Sequence, residues 1–198
     1  LKARQLIPFL DIAYQGFGDG IEEDAQAVRL FADSGLTFLV SSSFSKSFSL
    51  YGERVGALTL VSESREESAR VLSQVKRVIR TNYSNPPTHG ATIVATVLSI
   101  SELRALWETE LGEMRQRIRA MRNALVEGLA TAGATRDFAF VNAQRGMFSY
   151  SGLTAEQVER LKSEFGIYAV STGRICVAAL NERNLPPTIQ AIAAVLQG

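Results

Sequence analysis

The lysine in the stretch SSSFSKSFSLYGERVGAL, residues 41–58, lies among serines and phenylalanines instead of charged neighbours. An amine held between apolar walls, which the two adjacent phenylalanines would supply, suits nucleophilic attack on a carbonyl carbon. Arg54 follows Lys46 and carries the planar fork of donors that binds phosphate oxygens, and the Ser43 hydroxyl adds a donor for the same anion. The alternative is a solvated lysine in a serine-rich loop, which is the more frequent environment of a lysine.

Two further polar side chains, Asp11 and Tyr14, follow the first predicted strand, as Ser43 and Lys46 follow the second. Strand–helix–strand units with buried strands favour a mainly parallel α/β sheet, in which ligands bind at the carboxyl ends of the strands. We therefore expect the two loops to meet in one crevice. An amine, a phosphate-binding fork and a carboxylate together suit pyridoxal phosphate. Other interpretations stay open, because Asp11 could cap a turn and Tyr14 could belong to the core.

The elements that would position these side chains follow from hydrophobic periodicity. Apolar patterns predict three buried strands and one amphipathic helix, at 6–10, 36–41, 55–61 and 21–35 respectively. Ser64 and Glu67 have the spacing of a capping box, which predicts the start of a second helix that runs to about Arg80.

A much longer periodic segment follows. From residue 101 to residue 130 apolar side chains recur every three or four positions, which predicts one helix of roughly 45 Å. After it, Thr154 and Gln157 predict another capped helix, and four apolar segments predict short strands: DFAFV, GMFSYSG, IYAV and ICVAAL. We expect three parts: the C-terminal part of a large domain over 1–100, a bridging helix over 101–130 and a small α+β domain over 131–198.

Composition limits the class of partner. The 198 residues carry a net charge of +1, so no strong field favours nucleic acid, and no apolar run reaches the length of a membrane span. We expect neither kind of partner. The single cysteine, Cys176, fits the reducing cytoplasm, and we expect it to be a small buried hydrophobe. His89 has no cysteine or histidine partner at metal-ligand spacing, so we expect no metal site.

Five stretches of the chain, in this order, resemble the class I pyridoxal-phosphate-dependent aminotransferases, specifically the aspartate/aromatic amino-acid group. They are DIAYQGFGDGIEEDA, SFSKSFSLYGERVGAL, IRTNYSNPPTHGA, QRGMFSYSGL and STGRICVAAL. The resemblance runs from end to end of the chain, but a member of this family is about twice as long. The resemblance implies the fold type I architecture of pyridoxal-phosphate-dependent transferases. We expect the chain to be the C-terminal half: the second part of the large-domain sheet, the bridging helix and the small domain.

The resemblance also implies roles for the residues around the lysine. Lys46 would form the internal aldimine with pyridoxal phosphate and carry the proton between the substrate Cα and the cofactor. Asp11 would pair with the pyridinium nitrogen and keep it protonated, so that the ring remains an electron sink. Tyr14 would donate a hydrogen bond to the phenolic oxygen of the cofactor. Ser43 and Arg54 would hold the phosphate.

Three further residues correspond to substrate contacts in the family. Arg174 would clamp the α-carboxylate, Phe148 would lie near the substrate, and Arg80 would reach across a homodimer interface to a distal carboxylate. From the residues alone, Phe148 could be core, Arg80 could complement a helix dipole, and Arg174 is expected to be buried and to need an anion.

The implied function is transamination between an aromatic or dicarboxylic amino acid and 2-oxoglutarate, in a homodimer with shared active sites. Two alternatives stay open. One is an aspartate aminotransferase proper. The other is a non-catalytic cofactor-binding fragment or the sensing domain of a regulator.

Overall fold

A computed structural model describes residues 1–197 and divides them into two compact units. Unit 1 contains residues 1–16 and 20–111, and unit 2 contains residues 17–19 and 112–197. The boundary falls inside the longest helix, between Leu111 and Gly112. That helix, predicted over 101–130, is confirmed and spans Ser101–Thr131.

Unit 1 is built on a three-stranded sheet in the order β1–β2–β3, whose strands are Phe9–Ile12, Phe38–Ser43 and Gly56–Val61. β1 and β2 are parallel, joined by a short 3-10 turn and helix α1 (Gln26–Asp33). β2 and β3 are antiparallel, so within this chain the sheet is mixed and the expected parallel pairing holds for the first pair. The connection between β2 and β3 contains turns but no helix, and without a crossover the chain returns antiparallel.

Helices complete unit 1: α2 (Arg65–Tyr83), α3 (His89–Ser99) and the first part of α4 (Ser101–Thr131). The predicted cap of α2 is confirmed, because Ser64 Oγ accepts from the Glu67 N–H at 3.1 Å. The Glu67 carboxylate accepts in turn from the N–H of Glu63, one residue before the cap, at 3.0 Å. One orphan donor of the helix, the Glu67 N–H, is thus satisfied, whereas the second bond is made to the N–H before the cap instead of to the Ser64 N–H that a capping box uses.

The first predicted strand is displaced along the chain. Residues 6–10 were expected as a buried strand, but β1 begins at Phe9, and Leu6, Ile7 and Phe9 are 51%, 66% and 64% exposed. Within this apolar run Pro8 is buried and Leu10 is half-buried, so the run is covered only in part. The core of unit 1 instead consists of four buried hydrophobic side chains, Phe38, Val40, Val94 and Leu111.

Unit 2 packs the rest of α4 against three helices, α5 (Ala139–Asn142), α6 (Ala155–Phe165) and α7 (Leu185–Leu196). A two-stranded antiparallel sheet of β4 (Phe148–Tyr150) and β5 (Arg174–Cys176) completes it. Several of its core side chains are at most 1% exposed: Leu125, Leu129, Val141, Leu161, Val177, Ile192 and Val195.

Two of the four short strands predicted for this unit are wrong. The segment DFAFV forms α5, because Phe138 and Val141 are buried at helical spacing and the Asp137 carboxylate accepts from the Ala139 N–H at 2.8 Å. IYAV forms no strand and leads into a turn closed by Gly173 N–H to Val170 O at 2.8 Å. The capping box of α6 is confirmed, with both Thr154 and Gln157 hydrogen bonds present.

Within the part of the chain that the structure describes, no single helix has the length and apolar composition of a membrane span. α3 and α4 meet that criterion only as a pair, across a bend of 99°.

Candidate active site

The parallel pair of β1 and β2 positions Asp11 at its carboxyl end. The register of the two strands sets Asp11 opposite Ser41. The Ser41 hydroxyl donates a hydrogen bond to Asp11 Oδ1 at 3.0 Å, and Asp11 is exposed. A carboxylate with one oriented oxygen therefore stands at the end of the sheet where ligands of such folds bind.

Lys46 lies in the connection between β2 and β3, and its amine faces two aromatic rings. Nζ is 4.8 Å from the ring centroid of Tyr14 and 5.4 Å from that of Tyr51. Tyr14 belongs to the loop after β1, so the predicted meeting of the loops that follow β1 and β2 is confirmed. Lys46 is half-buried, and no carboxylate among residues 1–197 forms an ion pair with it.

Ser43 and Arg54 flank the lysine at the same end of the sheet. Ser43 is the last residue of β2 and pairs with Gly56, the first residue of β3. Arg54 precedes Gly56 by two positions, has a left-handed backbone (φ +52°), and donates from Nη1 to the Tyr51 carbonyl at 3.0 Å. The strand pairing therefore brings a hydroxyl and a guanidinium to the end of the sheet that carries Lys46. Left-handed backbone is uncommon outside glycine, and such strain often accompanies functional loops.

Phe148 and Arg174 lie in unit 2, in the two-stranded sheet. The Arg174 guanidinium carbon is 4.9 Å from the Phe148 ring centroid. The expectations that Arg174 and Cys176 are buried are wrong, since both are exposed. Strand side chains alternate between faces, and Arg174 and Cys176 share the face opposite to Ile175, which pairs with the buried Ser149.

A buried arginine holds β4 from the other face. Arg122 is 3% exposed and donates from Nε to Ser149 Oγ at 3.2 Å and from Nη2 to the Gly146 carbonyl. Burial lowers the pKa of the Arg122 guanidinium, and the positive charges of Arg145 and Arg119 lower it further. These two bonds secure the strand that carries Phe148.

Arg80 stands apart from the lysine cluster. It lies in the last turn of α2, is exposed, and donates to the Ser84 hydroxyl just after the helix. Among the described residues of unit 1, no hydrogen bond or ion pair joins Arg80 to Lys46 or Asp11. Its position also suits the helix dipole.

Three residues next to the site were missed by the sequence reasoning. Ser41 orients Asp11, Tyr51 supplies the second ring beside Lys46, and Trp107 contacts the lysine connection from α4. Ser41 and Tyr51 lie inside the stretch 41–58 around Lys46, so their closeness to the lysine in sequence could have identified them as candidate site residues. Trp107 is remote in sequence, and periodicity placed it only on the apolar face of a helix. Within residues 1–197, no group of three His, Cys, Asp or Glu side chains is arranged to hold a metal ion.

The donor set fits pyridoxal phosphate. The cluster in unit 1 offers an amine for the aldehyde, a carboxylate for the ring nitrogen, and a hydroxyl with a guanidinium for the phosphate. All of these groups lie in loops or strand ends at one end of a single sheet.

The family model described as aminotransferase class I and II matches residues 1–192, and the chain belongs to this family. It is 78% identical over 196 residues to an aspartate aminotransferase of Pseudomonas aeruginosa, covering 99% of this chain and 49% of that enzyme. It is 57% identical over 196 residues to an aromatic-amino-acid aminotransferase of Escherichia coli, with the same coverage of the two chains.

Solved structures agree on the fold. The aromatic-amino-acid aminotransferase of Burkholderia pseudomallei, in a crystal structure covalently bound to pyridoxal phosphate, superposes with a TM-score of 0.96 at 74% identity. The match covers 98% of this chain and 49% of that one. The fold type I assignment is therefore confirmed, and the chain spans about half the length of the relatives it matches.

Proposed function

We propose that this chain carries the covalent cofactor site of a pyridoxal-phosphate-dependent aminotransferase. The observation that carries the proposal is the position of Lys46 Nζ, half-buried and 4.8 Å from the ring centroid of Tyr14, at the sheet end where Asp11 is oriented. A relative at 74% identity is covalently bound to pyridoxal phosphate, which supports the same chemistry here.

Five residues would hold the cofactor. Lys46 would form a covalent bond to the aldehyde carbon. Asp11 would accept a hydrogen bond from the protonated ring nitrogen, and Tyr14 would donate one to the phenolic oxygen. The Ser43 hydroxyl and the Arg54 guanidinium would bind the phosphate, whose charge and oxygen geometry suit a forked donor. The Ser41 hydroxyl supports Asp11 by fixing one of its oxygens.

When bound, pyridoxal phosphate supplies an aldehyde that captures amines and a ring that withdraws electrons from the substrate Cα. Lys46 would hold the cofactor through its aldehyde carbon until a substrate amine takes that place. The Lys46 amine would then carry the proton that leaves the substrate Cα. Asp11 would hold a proton at the ring nitrogen.

Three further residues would take part in substrate recognition. Arg174 lies over the Phe148 ring, and no carboxylate among residues 1–197 pairs with it, which leaves its fork available for a substrate α-carboxylate. Phe148 restricts the orientation of that fork. Arg80 would bind the second carboxylate of a dicarboxylic substrate in the active site of a partner subunit.

The proposed reaction moves an amino group between an aromatic or dicarboxylic amino acid and 2-oxoglutarate. The names of the relatives divide between aspartate and aromatic-amino-acid aminotransferases, so both substrate classes belong to the proposal. We further propose a homodimeric, cytoplasmic enzyme, with residues 1–100 in the large domain, 101–130 as the bridging helix and 131–198 in the small domain.

The test is the visible absorption spectrum of the purified chain titrated with pyridoxal phosphate. We expect a pH-dependent band that Lys46→Ala abolishes. Lys76→Ala is the matched control, because Lys76 lies on α2, and its removal should leave the band unchanged.

Aspartate is added to one sample and phenylalanine to another. Loss of the band in either sample would show that the bound cofactor reacts with that amino acid. A spectrum that is the same for the wild-type chain and for Lys46→Ala would contradict the proposal that this chain carries the covalent site.

A further inference from the structure

Trp107 of α4 contacts the connection that carries Lys46. Trp107 Nε1–H donates a hydrogen bond to the carbonyl of Ser47 at 2.7 Å. The indole also stacks on the Phe48 ring, with centroids 4.6 Å apart and planes inclined by 20°. Both partners are within two residues of Lys46, so the indole contacts the backbone and a side chain of the same short segment.

The lysine segment, residues 43–49, is also ordered by its own hydrogen bonds and by one from the Phe44 N–H to the Val55 carbonyl at 3.3 Å. Phe48 N–H donates to the Phe44 carbonyl at 3.2 Å, and Ser49 N–H donates to the Lys46 carbonyl at 3.1 Å. The rings of Phe44 and Phe48 meet edge to face at 5.5 Å. These contacts fix the shape of one turn, but they do not fix where that turn stands relative to the loop of Tyr14.

The same face of α4 also reaches the loop of Tyr14. Leu111 follows Trp107 by one helical turn and is fully buried, at 0% exposure. A Cβ on Gly16 would lie 2.4 Å from Leu111 Cδ2, and Gly16 has φ +91°, so that backbone approach requires glycine. Trp107 and Leu111 therefore contact the two loops whose residues Lys46 and Tyr14 meet.

A cavity of about 230 Å³ adjoins this contact and is lined by Ser43, Phe44, Ser47, Phe48 and Trp107, among others. Space of this size lets the Phe48 ring and the segment behind it move if the indole is shortened or loses its hydrogen bond. The indole is the largest side chain that limits such movement.

We propose that Trp107 is a positioning residue for Lys46. Its hydrogen bond to Ser47 and its stack on Phe48 set the lysine segment at the distance from the Tyr14 loop at which the amine captures the aldehyde of pyridoxal phosphate. This inference rests on the proposed function of Lys46 and adds to it a residue from the bridging helix.

The test is an internal competition among the lysines of the intact chain. The chain has four lysines: Lys2, Lys46, Lys76 and Lys162. With limiting pyridoxal phosphate, each lysine amine can add to the aldehyde carbon with loss of water. Borohydride then delivers hydride to that carbon, and a proton from water completes a stable secondary amine. Peptide mass mapping gives the ratio of label on Lys46 to label on the other lysines. The other lysines of the same sample serve as an internal reference for this ratio.

We expect the wild-type chain to carry most of its label on Lys46. Trp107→Phe keeps an aromatic ring against Phe48 but loses the hydrogen bond, and we expect the ratio of label on Lys46 to label on the other lysines to fall by about threefold to tenfold. Phe165→Leu in unit 2 is the control and should leave the ratio unchanged. Far-UV circular dichroism confirms that each variant is folded. Phe48→Leu removes the stack from the opposite side, so it tests the proposal if Trp107→Phe does not fold.

The outcomes separate the two proposals. Equal labelling of all four lysines in the wild-type chain would overturn the proposed function of Lys46. Preferred labelling of Lys46 that persists unchanged in folded Trp107→Phe and Phe48→Leu would leave that function intact and overturn the positioning role of Trp107.

Discussion

The two units of the chain bury their apolar side chains to very different extents. Unit 2 encloses a continuous core in which Leu125, Leu161 and Ile192 are each 1% exposed. In unit 1 the buried hydrophobic side chains are few, while Leu58 of β3 and Val78 of α2 are 56% and 64% exposed. A unit that buries so little apolar surface gains less stability from its own core.

The difference is instructive because the proposed cofactor residues lie in the less enclosed unit. The order of the lysine segment comes from strand register, short-range hydrogen bonds and aromatic contacts with α4. Unit 2 relies on close packing, so the two units should respond differently to the same kind of substitution.

The largest expected effect is on the core of unit 2. Leu161→Ala removes a side chain that is 1% exposed, and we expect a loss of about 2–5 kcal/mol in the free energy of unfolding. The measurement is urea unfolding followed by far-UV circular dichroism and, in parallel, by the emission of Trp107, the one tryptophan of the chain, which lies in unit 1.

The matched control is Leu72→Ala on α2 of unit 1, where the leucine is 53% exposed. We expect a change within about 0.5 kcal/mol. Equal losses for the two leucines would contradict the contrast between the units, and a Leu161→Ala shift seen equally in tryptophan emission would show that the units unfold together.

A smaller effect is expected at Gly16, the close contact of unit 1 with Leu111. Gly16→Ala places a Cβ 2.4 Å from Leu111 Cδ2 on a backbone with φ +91°, so we expect a loss of about 2–4 kcal/mol from left-handed strain and overpacking together. Gly35→Ala has positive φ but no atom within 4 Å of the new Cβ, and it should cost about 1–2 kcal/mol. Thermal unfolding monitored by Trp107 emission gives both values. If the two alanines cost the same, the packing of α4 against the Tyr14 loop is not tight.

The smallest expected effect concerns one carboxylate in each unit. A hydrogen bond from Arg160 lowers the pKa of Glu164 in unit 2. In unit 1, a backbone hydrogen bond at the start of α4 lowers the pKa of Glu102, and a hydrogen bond from the Ser101 hydroxyl lowers it by a smaller amount. Arg160→Gln should raise the pKa of Glu164 toward its ordinary value of 4.5 and leave that of Glu102 unchanged. Ser101→Ala should raise the pKa of Glu102 only in part, because the backbone donor remains.

The sign of the pH dependence follows from these lowered values. A carboxyl whose pKa is lower in the folded state contributes stability that is complete above its unfolded pKa and is lost as the pH falls through the folded value. Both contributions should therefore be complete above about pH 4.5, the ordinary carboxyl pKa, and should be lost progressively as the pH falls from there through the lowered folded-state values. Carbon-13 NMR titration of the side-chain carboxyls measures each group directly, and an unmoved Glu164 in Arg160→Gln would show that the ion pair does not form in solution.

Local signals in the sequence were sufficient for the starts of α2 and α6 and for the long helix, whereas the helix predicted over 21–35 begins only at Gln26. Ser64 and Thr154 accept the predicted capping bonds, because a cap depends on residues three positions apart. The segment around Phe138 was read as a strand and is a helix, since a short apolar run suits either element and packing of Phe138 and Val141 decided between them.

Burial was predicted less well than element type. Five residues that were expected inside are exposed: Leu6, Ile7, Phe9, Arg174 and Cys176. The third predicted buried strand is also wrong in this respect, because residues 56–59 of β3 are exposed. The hydrophobicity of a side chain indicates how much free energy its burial would release. Whether it is buried depends on neighbours that are distant in the chain.

The sequence by itself determined the family, the capped starts of α2 and α6 and the long helix α4, since these depend on motifs and on periodicities within a few residues. It also predicted that the loops after β1 and β2 meet, because parallel strands end at the same edge of a sheet. Only the tertiary structure decided that Ser41 orients Asp11, that Tyr51 faces Lys46 and that Trp107 supports the lysine segment. The physical reason is that such contacts join residues up to 60 positions apart, and no local pattern specifies the register and packing that bring them together.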